Sequence, residues 1–294
     1  MELTRDLATH GAGPRRPALE FSDATGRFVA YAPRPPLSRH IALIWQAFGA
    51  PNPAREKVLP NGVVELIVNL GDPQRVVDRD DPSRFTRYRA SWLAGMQGSF
   101  LVISAEADVE LLGVRFRPGG ARALLQRPLA EFNDLVVEFD LVTRGLADEL
   151  RDRLHAAQPG LPRVEVAEAL LLRELDPGAH DPRVDHLVAT LAAAPERSIA
   201  GIAADLGVSQ KHLIHLCRQH VGLAPKLLAR VLRFHAVVQR LGRVQTPRWA
   251  EVAARHGYSD QAHLIAEFRA FAGVTPSEYL RRRLVDANHI AADR

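Results

Sequence analysis

GVSQKHLIHLCR, residues 207–218, returns fifty residues later as GYSDQAHLIAEFR, residues 257–269. Gly207 matches Gly257 and Ser209 matches Ser259, both 50 apart. After one extra residue in the second copy, Leu213 matches Leu264, Arg218 matches Arg269, Gly222 matches Gly273 and Pro225 matches Pro276, all 51 apart. The copies share a physical plan. A short Ala-rich helix ends at a glycine, which adopts the left-handed conformation that a tight turn needs. A serine then offers its hydroxyl to cap a second helix, with Asp260 a further cap candidate in the second copy. That helix turns Leu264, Phe268 and Phe271 to one face at helical spacing.

Two short helices joined by a three- to four-residue turn containing glycine form a helix-turn-helix, whose second helix can enter a DNA major groove. One such match is common among helical hairpins. Two copies joined by the helical segment KLLARVLRFHAVVQRL (226–241) are far more specific. With that linker and the stretch GYSDQAHLIAEFRAFAGVTPSEYLRRR (257–283), the C-terminal ~100 residues resemble the AraC/XylS transcriptional regulators. LPNGVVELIVNLGD (59–72) and LLGVRFRPGGARALL (111–125) resemble the uncharacterised β-rich N-terminal domain of one branch of that family.

The resemblance implies that the two second helices read successive major-groove segments about one helical turn, roughly 34 Å, apart. Carried over position by position, the base-reading residues are Gln210, Lys211, Ile214 and His215, then Gln261, Ala262, Ile265 and Ala266. Gln suits adenine, Lys suits guanine, and Ile or Ala suits a thymine methyl. His215 and Ala266 stand where the family often carries Arg, so the first helix is expected to read more bases than the second. Glu267, in the second reading helix, repels phosphate unless it turns away. Expected phosphate contacts are Ser209, Arg218, Lys226, Arg230, Arg248 and Arg269. His212 and His263 read as structural or phosphate-facing, not as metal ligands, and Cys217 reads as a core residue, not a nucleophile.

Charge agrees with this division. Residues 182–283 carry 15 Lys+Arg against 7 Asp+Glu, a net of +8, whereas residues 1–181 stand at −3. A basic third of this kind suits a polyanionic partner. A single cysteine excludes an internal disulfide and fits a reducing compartment. No apolar run approaches the ~18–20 residues of a membrane span, and the first twenty residues lack the apolar stretch of a signal peptide. The expected location is the cytoplasm.

Ahead of the basic region, IALIWQAF (41–48), VVELIVNL (63–70), FLVIS (100–104) and VELLGVRF (109–116) read as strands separated by turn-forming breakers. Residues 141–158 and 164–175 carry helical periodicity, and DPGAHDPR (176–183) reads as a linker. The expected class is α+β. A flexible arm (1–20) leads to a β-rich, barrel- or sandwich-like sensor or dimerisation domain (21–130). A helical connector (131–181) follows, then an all-α double helix-turn-helix domain (182–283) and a tail (284–294). The two motifs are placed at about 199–220 and 249–272.

Within the β-rich part, Trp45, Glu65, Asn69, Arg115 and Arg117 are the candidate ligand-pocket residues. A metal site is not expected, because the four histidines of residues 1–181 are far apart in sequence. No phosphate loop, nucleophile elbow or cofactor motif is present either. The expected function is a sequence-specific, non-enzymatic DNA-binding regulator of the one-component kind, responsive to an unknown small-molecule effector. Operator DNA is its partner, with RNA polymerase and a second copy of the chain as further candidates. The competing expectation is a cupin-like small-molecule sensor or enzyme whose helical half has lost specific DNA binding.

Overall fold

The computed structural model describes residues 15–22, 26–50, 55–143 and 145–292, so the expected arm up to residue 14 and the last two tail residues lie outside it. Seven antiparallel strands form the first sheet: β1 (Leu19–Ser22), β2 (Gly26–Tyr31), β3 (Ile41–Gly49), β10 (Val109–Phe116), β5 (Glu65–Asn69), β8 (Ser91–Ala94) and β11 (Val136–Glu138), in that spatial order. Five form the second: β12 (His289–Ala291), β4 (Glu56–Val58), β9 (Leu101–Ala105), β6 (Gln74–Val77) and β7 (Phe85–Tyr88). The sheets are open and sandwich-like, not a closed barrel. Runs of β-branched and aromatic residues explain the long central strands β3, β5 and β10.

Strand alternation gives the first sheet two unlike faces. Ile44, Leu66, Val68, Leu93, Leu112, Val114 and Phe116 are fully buried in the main core, which also takes in Leu150 and Leu154 of α2 (Leu146–Ala156) and Val164 and Leu171 of α3 (Leu161–Glu174). The opposite face carries Trp45, Glu65, Ile67, Trp92, Leu111 and Arg115, directed toward the second sheet. The short helix α1 (Arg122–Leu125) follows the Gly119-Gly120 turn. The segment expected to be a helical connector also supplies β11 to the first sheet.

The C-terminal half is helical: α4 (Pro182–Ala193), α5 (Ile199–Asp205), α6 (Gln210–His220), α7 (Pro225–Leu241), α8 (Trp249–Arg255), α9 (Gln261–Ala272) and α10 (Pro276–Arg282). Leu213, Cys217, Phe234, Val238, Leu264, Phe268 and Tyr279 fill one core, which continues without interruption into that of the β-domain. Among the described residues no helix is long and apolar enough to cross a membrane.

The repeated glycines mark where the halves touch. Gly222 and Gly273 close α6 and α9 at φ +107° and +66°, a region that favours glycine. At the first, the Asn133 amide donates to the Gly222 carbonyl at 2.6 Å. At the second, the Phe100 N–H donates to the Phe271 carbonyl at 3.0 Å, and a Cβ on Gly273 would stand 2.5 Å from the Phe100 ring. The tail, for which the sequence suggested no element, adds β12 antiparallel to β4, pairing His289 with Val58 and Ala291 with Glu56.

Candidate nucleic-acid interface and ligand cavity

Each helix-turn-helix forms for a local reason. In the first, Ser198 caps α5, Gly207 turns at φ +65°, and the Ser209 hydroxyl accepts the His212 N–H at 3.1 Å to start α6. In the second, Gly257 turns at φ +71°, but the cap is Asp260, whose carboxylate accepts the His263 N–H at 2.7 Å. Ser259 is therefore not the cap. Its hydroxyl donates to Asp260 instead. The extra residue of the second copy lies in this turn, so α6 and α9 begin at equivalent glutamines, Gln210 and Gln261.

The helix face away from the core carries the expected base-reading residues. Gln210, Lys211 and His215 on α6, and Gln261, Ala262 and Ala266 on α9, are exposed. Ile214 and Ile265 are half-buried, and Ile214 packs against the core with part of its side chain outward. All six phosphate candidates, Ser209, Arg218, Lys226, Arg230, Arg248 and Arg269, are exposed. Arg248 is engaged with Glu251 at 2.9 Å, and Ser209 is occupied as a cap. Gln210, Lys226 and Arg230 border one cleft of about 460 Å³ between the starts of α5, α6 and α7.

Glu267 turns away from the reading face. It is buried, and it accepts Arg230 Nε at 2.6 Å and Arg233 Nη2 at 2.9 Å, both from α7. The anticipated clash with phosphate is absent, and the carboxylate instead ties α9 to the linker helix. Arg230 keeps about half its side chain exposed beyond that bond. Cys217 is fully buried, and burial pushes its thiol up to about 12. His263 bonds locally to Ser259, and among the described residues no cluster with metal-ligand composition occurs.

A second site lies between the two sheets, a cavity of about 890 Å³. Its walls are aromatic and aliphatic: Phe28 stacks on Trp45 (centroids 5.7 Å apart) and Tyr88 tilts against Trp92 (5.5 Å). Gly113 is the cross-strand partner of Trp45, and the indole lies over it; a Cβ there would stand 2.0 Å from the ring. The indole N–H reaches Glu65 Oε1 at 3.2 Å, and the same oxygen accepts Arg115 Nε at 2.7 Å.

Thus three of the five expected pocket residues, Trp45, Glu65 and Arg115, share the cavity. The other two do not line it. Asn69, at the end of β5, is fully buried and spends its amide on the Asp72 and Arg89 carbonyls. Arg117 lies beyond the bulge at Arg115/Phe116 and donates to the Ser38 carbonyl.

The tail supplies what sequence reasoning missed. Asp286 and His289 enter the same cavity beside Glu56 of β4, and His289 Nδ1 meets Glu56 Oε2 at 2.7 Å. Burial opposes a charged His289, but the bond to Glu56 and the fields of Asp286, Glu56 and Glu65 outweigh it and raise its pKa. Burial likewise opposes ionisation of Asp286, yet His289 and Arg115 hold its pKa below the usual carboxylate value. Behind this polar end, burial and the nearby Arg115 push His235 of α7 down to about 4, so it stays neutral. His235 of the linker helix thus feels the charges of Arg115 and Asp286, two residues that line the cavity.

Two family models match the chain. Residues 29–138 match a domain of unknown function, and residues 183–282 match a helix-turn-helix domain. No curated protein matches. Among solved structures, ToxT from Vibrio cholerae is similar at 10% identity, covering 80% of this chain and 98% of that one with a TM-score of 0.46. The C-terminal domain of AraT, a response regulator from Geobacillus stearothermophilus, is similar at 24% identity over 34% of this chain and 85% of that one, with a TM-score of 0.32. Procruciferin, an 11S globulin from Brassica napus, aligns at 9% identity over 34% of this chain and 28% of that one, with a TM-score of 0.26.

Proposed function

We propose, from the premise that this chain is an AraC-family helix-turn-helix regulator, that it reads a specific operator with both recognition helices and adjusts transcription in response to a small molecule. The observation that carries DNA reading is the twin display of exposed side chains on α6 and α9, each behind its own Gly turn and cap. The two helices carry unequal chemistry. Gln210, Lys211 and His215 offer three hydrogen-bonding side chains, against Gln261 alone among the exposed positions of the second copy. In this reading α6 discriminates bases, and α9 contributes one adenine-type contact plus methyl contacts from Ile265 and Ala266. Arg218, Lys226 and Arg269 hold phosphates, together with the helix N-termini.

Ligand response is supported by the continuity of the two halves. Both recognition helices end on the β-domain, at Asn133 and at Phe100, and His235 of the linker helix feels the charges of the cavity residues Arg115 and Asp286. A ligand that favours one packing of this junction changes the helices' relative setting, and by linkage DNA changes the ligand's affinity equally. The output is altered operator affinity or altered contact with RNA polymerase, and a second copy of the chain can bind an adjacent site.

Selection of bound fragments from a random DNA pool, followed by footprinting, tests the reading. It predicts two protected major-groove segments about one helical turn apart, with sharper base preference in one than in the other. A footprint with no preferred sequence contradicts it.

A further inference from the structure

We infer that the Gly119-Gly120 turn seats a proton-operated latch: His40 of the β-domain and His220 at the end of α6, with His180 of the 176–183 linker near both, hold the first helix-turn-helix unit when neutral and loosen it when protonated. Several elements close on this turn. A Cβ on Gly120 would stand 2.0 Å from the His40 carbonyl, which also accepts the Arg117 N–H at 2.8 Å. A Cβ on Gly119 would stand 3.1 Å from Val184 of α4 and 3.9 Å from the His220 carbonyl. Just beyond the turn, the Ala123 carbonyl accepts the Asp176 N–H of the linker at 2.8 Å. The β-domain, the linker and the DNA-binding half thus meet at one strand-to-helix turn.

The histidines sit where added positive charge is hard to hold. The His40 ring is buried and stands edge-on to the His180 ring, with centroids 5.6 Å apart. His40 Nδ1 is buried without a hydrogen-bond partner. His180 Nε2 meets Asp185 Oδ2 at 2.9 Å, so that carboxylate already serves one imidazole. Asp181 is likewise engaged, capping α4 and holding Arg183 at 2.6 Å. Burial, His180 and Arg39 keep the His40 pKa below its ordinary value against the opposing field of Asp185. Burial lowers that of His220 as well; Asp181 opposes it, but Arg122, His180 and Arg183 add to the lowering.

An opened junction lets both imidazoles take protons at the ordinary value of 6.5. The closed junction is therefore fully stable above that value, and it loses stability as pH falls through it toward the lower folded values. Acid thus loosens α6, the helix that carries Gln210, Lys211 and His215. The effect on DNA rests on the operator reading, whereas the latch itself does not.

The full chain without DNA is followed by hydrogen exchange at about pH 7.5 and about pH 5.5, with rates corrected for their intrinsic pH dependence. Failure of the latch then leaves the operator reading untouched. Amides of residues 117–125, 177–186 and 213–222 are expected to open at least about threefold more often at the lower pH. The β12 and β4 amides respond with the opposite sign through His289 and serve as an internal control. His40→Gln and His220→Gln, which keep neutral polar side chains, should each reduce the excess, and the double variant should erase it. Where His40→Gln fails to fold, His220→Gln alone decides. No excess opening in acid, an excess spread evenly over the chain, or one that survives His220→Gln unchanged would overturn the latch.

Discussion

Arg233 of the linker helix α7 donates to Glu267 of the second reading helix α9 at 2.9 Å, and both side chains are largely buried. With Arg230 on the other carboxylate oxygen, the pair fixes how α9 sits on α7. Removing one partner of a fully buried ion pair leaves the other uncompensated at a cost of about 3–5 kcal/mol, and less here because Arg230 is half exposed. Glu267→Ala is expected to lower the thermal midpoint and also to weaken DNA binding, because α9 loses its setting. A carboxylate facing phosphate would give the opposite sign. Tighter DNA binding by the alanine variant, in a mobility-shift titration, would refute this role.

Base reading and phosphate holding separate by salt dependence. Lys211→Ala and Gln210→Ala should each cost about 1–3 kcal/mol on the selected operator and relax preference at one position. Arg218→Ala should weaken binding to all sequences alike and reduce the log K–log salt slope by about one. Gln261→Ala is expected to relax one position, Ala266→Gly to weaken one thymine preference, and Ala262→Gly to change little. Competition titrations against single-base operator variants give the answer.

Much of this was legible in sequence where period and repetition act together. The Gly-turn-cap plan repeats, so the helices of both motifs stand out, and β3, β5, β9 and β10 announce themselves by runs of β-branched residues. Eight strands among the described residues were not anticipated: Glu56–Val58, Gln74–Val77, Phe85–Tyr88 and His289–Ala291, which make up most of the second sheet, and Leu19–Ser22, Gly26–Tyr31, Ser91–Ala94 and Val136–Glu138 of the first. Each is only three to six residues long, too short for apolar alternation to stand out from the turns around it. Trp45, Glu65 and Arg115 followed from alternation along predicted strands. Asp286 and His289 did not, because a pairing across 233 residues leaves no local signal.

Asn69 shows the limit of alternation. It shares parity with Glu65 and Ile67, yet at the strand end its amide is taken by the turn that follows. Arg117 fails for a related reason, since a bulge at Arg115/Phe116 breaks the parity before it.

Gly113 allows Trp45 to lie across the sheet. Gly113→Ala should displace the indole, break its bond to Glu65 and cost about 1–3 kcal/mol through overpacking. Thermal unfolding together with a shifted tryptophan emission maximum checks this. Unchanged emission would show that the indole does not rest there.

The tail's docking should depend on pH. His289 has a raised pKa in the folded chain, so its contribution is fully present below its ordinary value of 6.5 and is lost as pH rises through the higher folded value. The groups facing it are Glu56, Glu65 and Asp286, with Arg115 beside them. Hydrogen exchange of the β12 and β4 amides should therefore speed up across that interval beyond the intrinsic rise with pH. His289→Gln should remove the excess. An equal pH response in both proteins would contradict the assignment.

The central claim is that this chain reads DNA through paired helix-turn-helix units, and a fluorescence-anisotropy titration of the full chain on its selected operator tests it most directly. The titration is run at several salt concentrations against random competitor. The account predicts competitor-resistant binding with a negative log K–log salt slope, lost when Gln210 and Lys211 are both replaced by alanine. Binding no tighter than to random DNA, or specific binding that survives that double replacement, would contradict it.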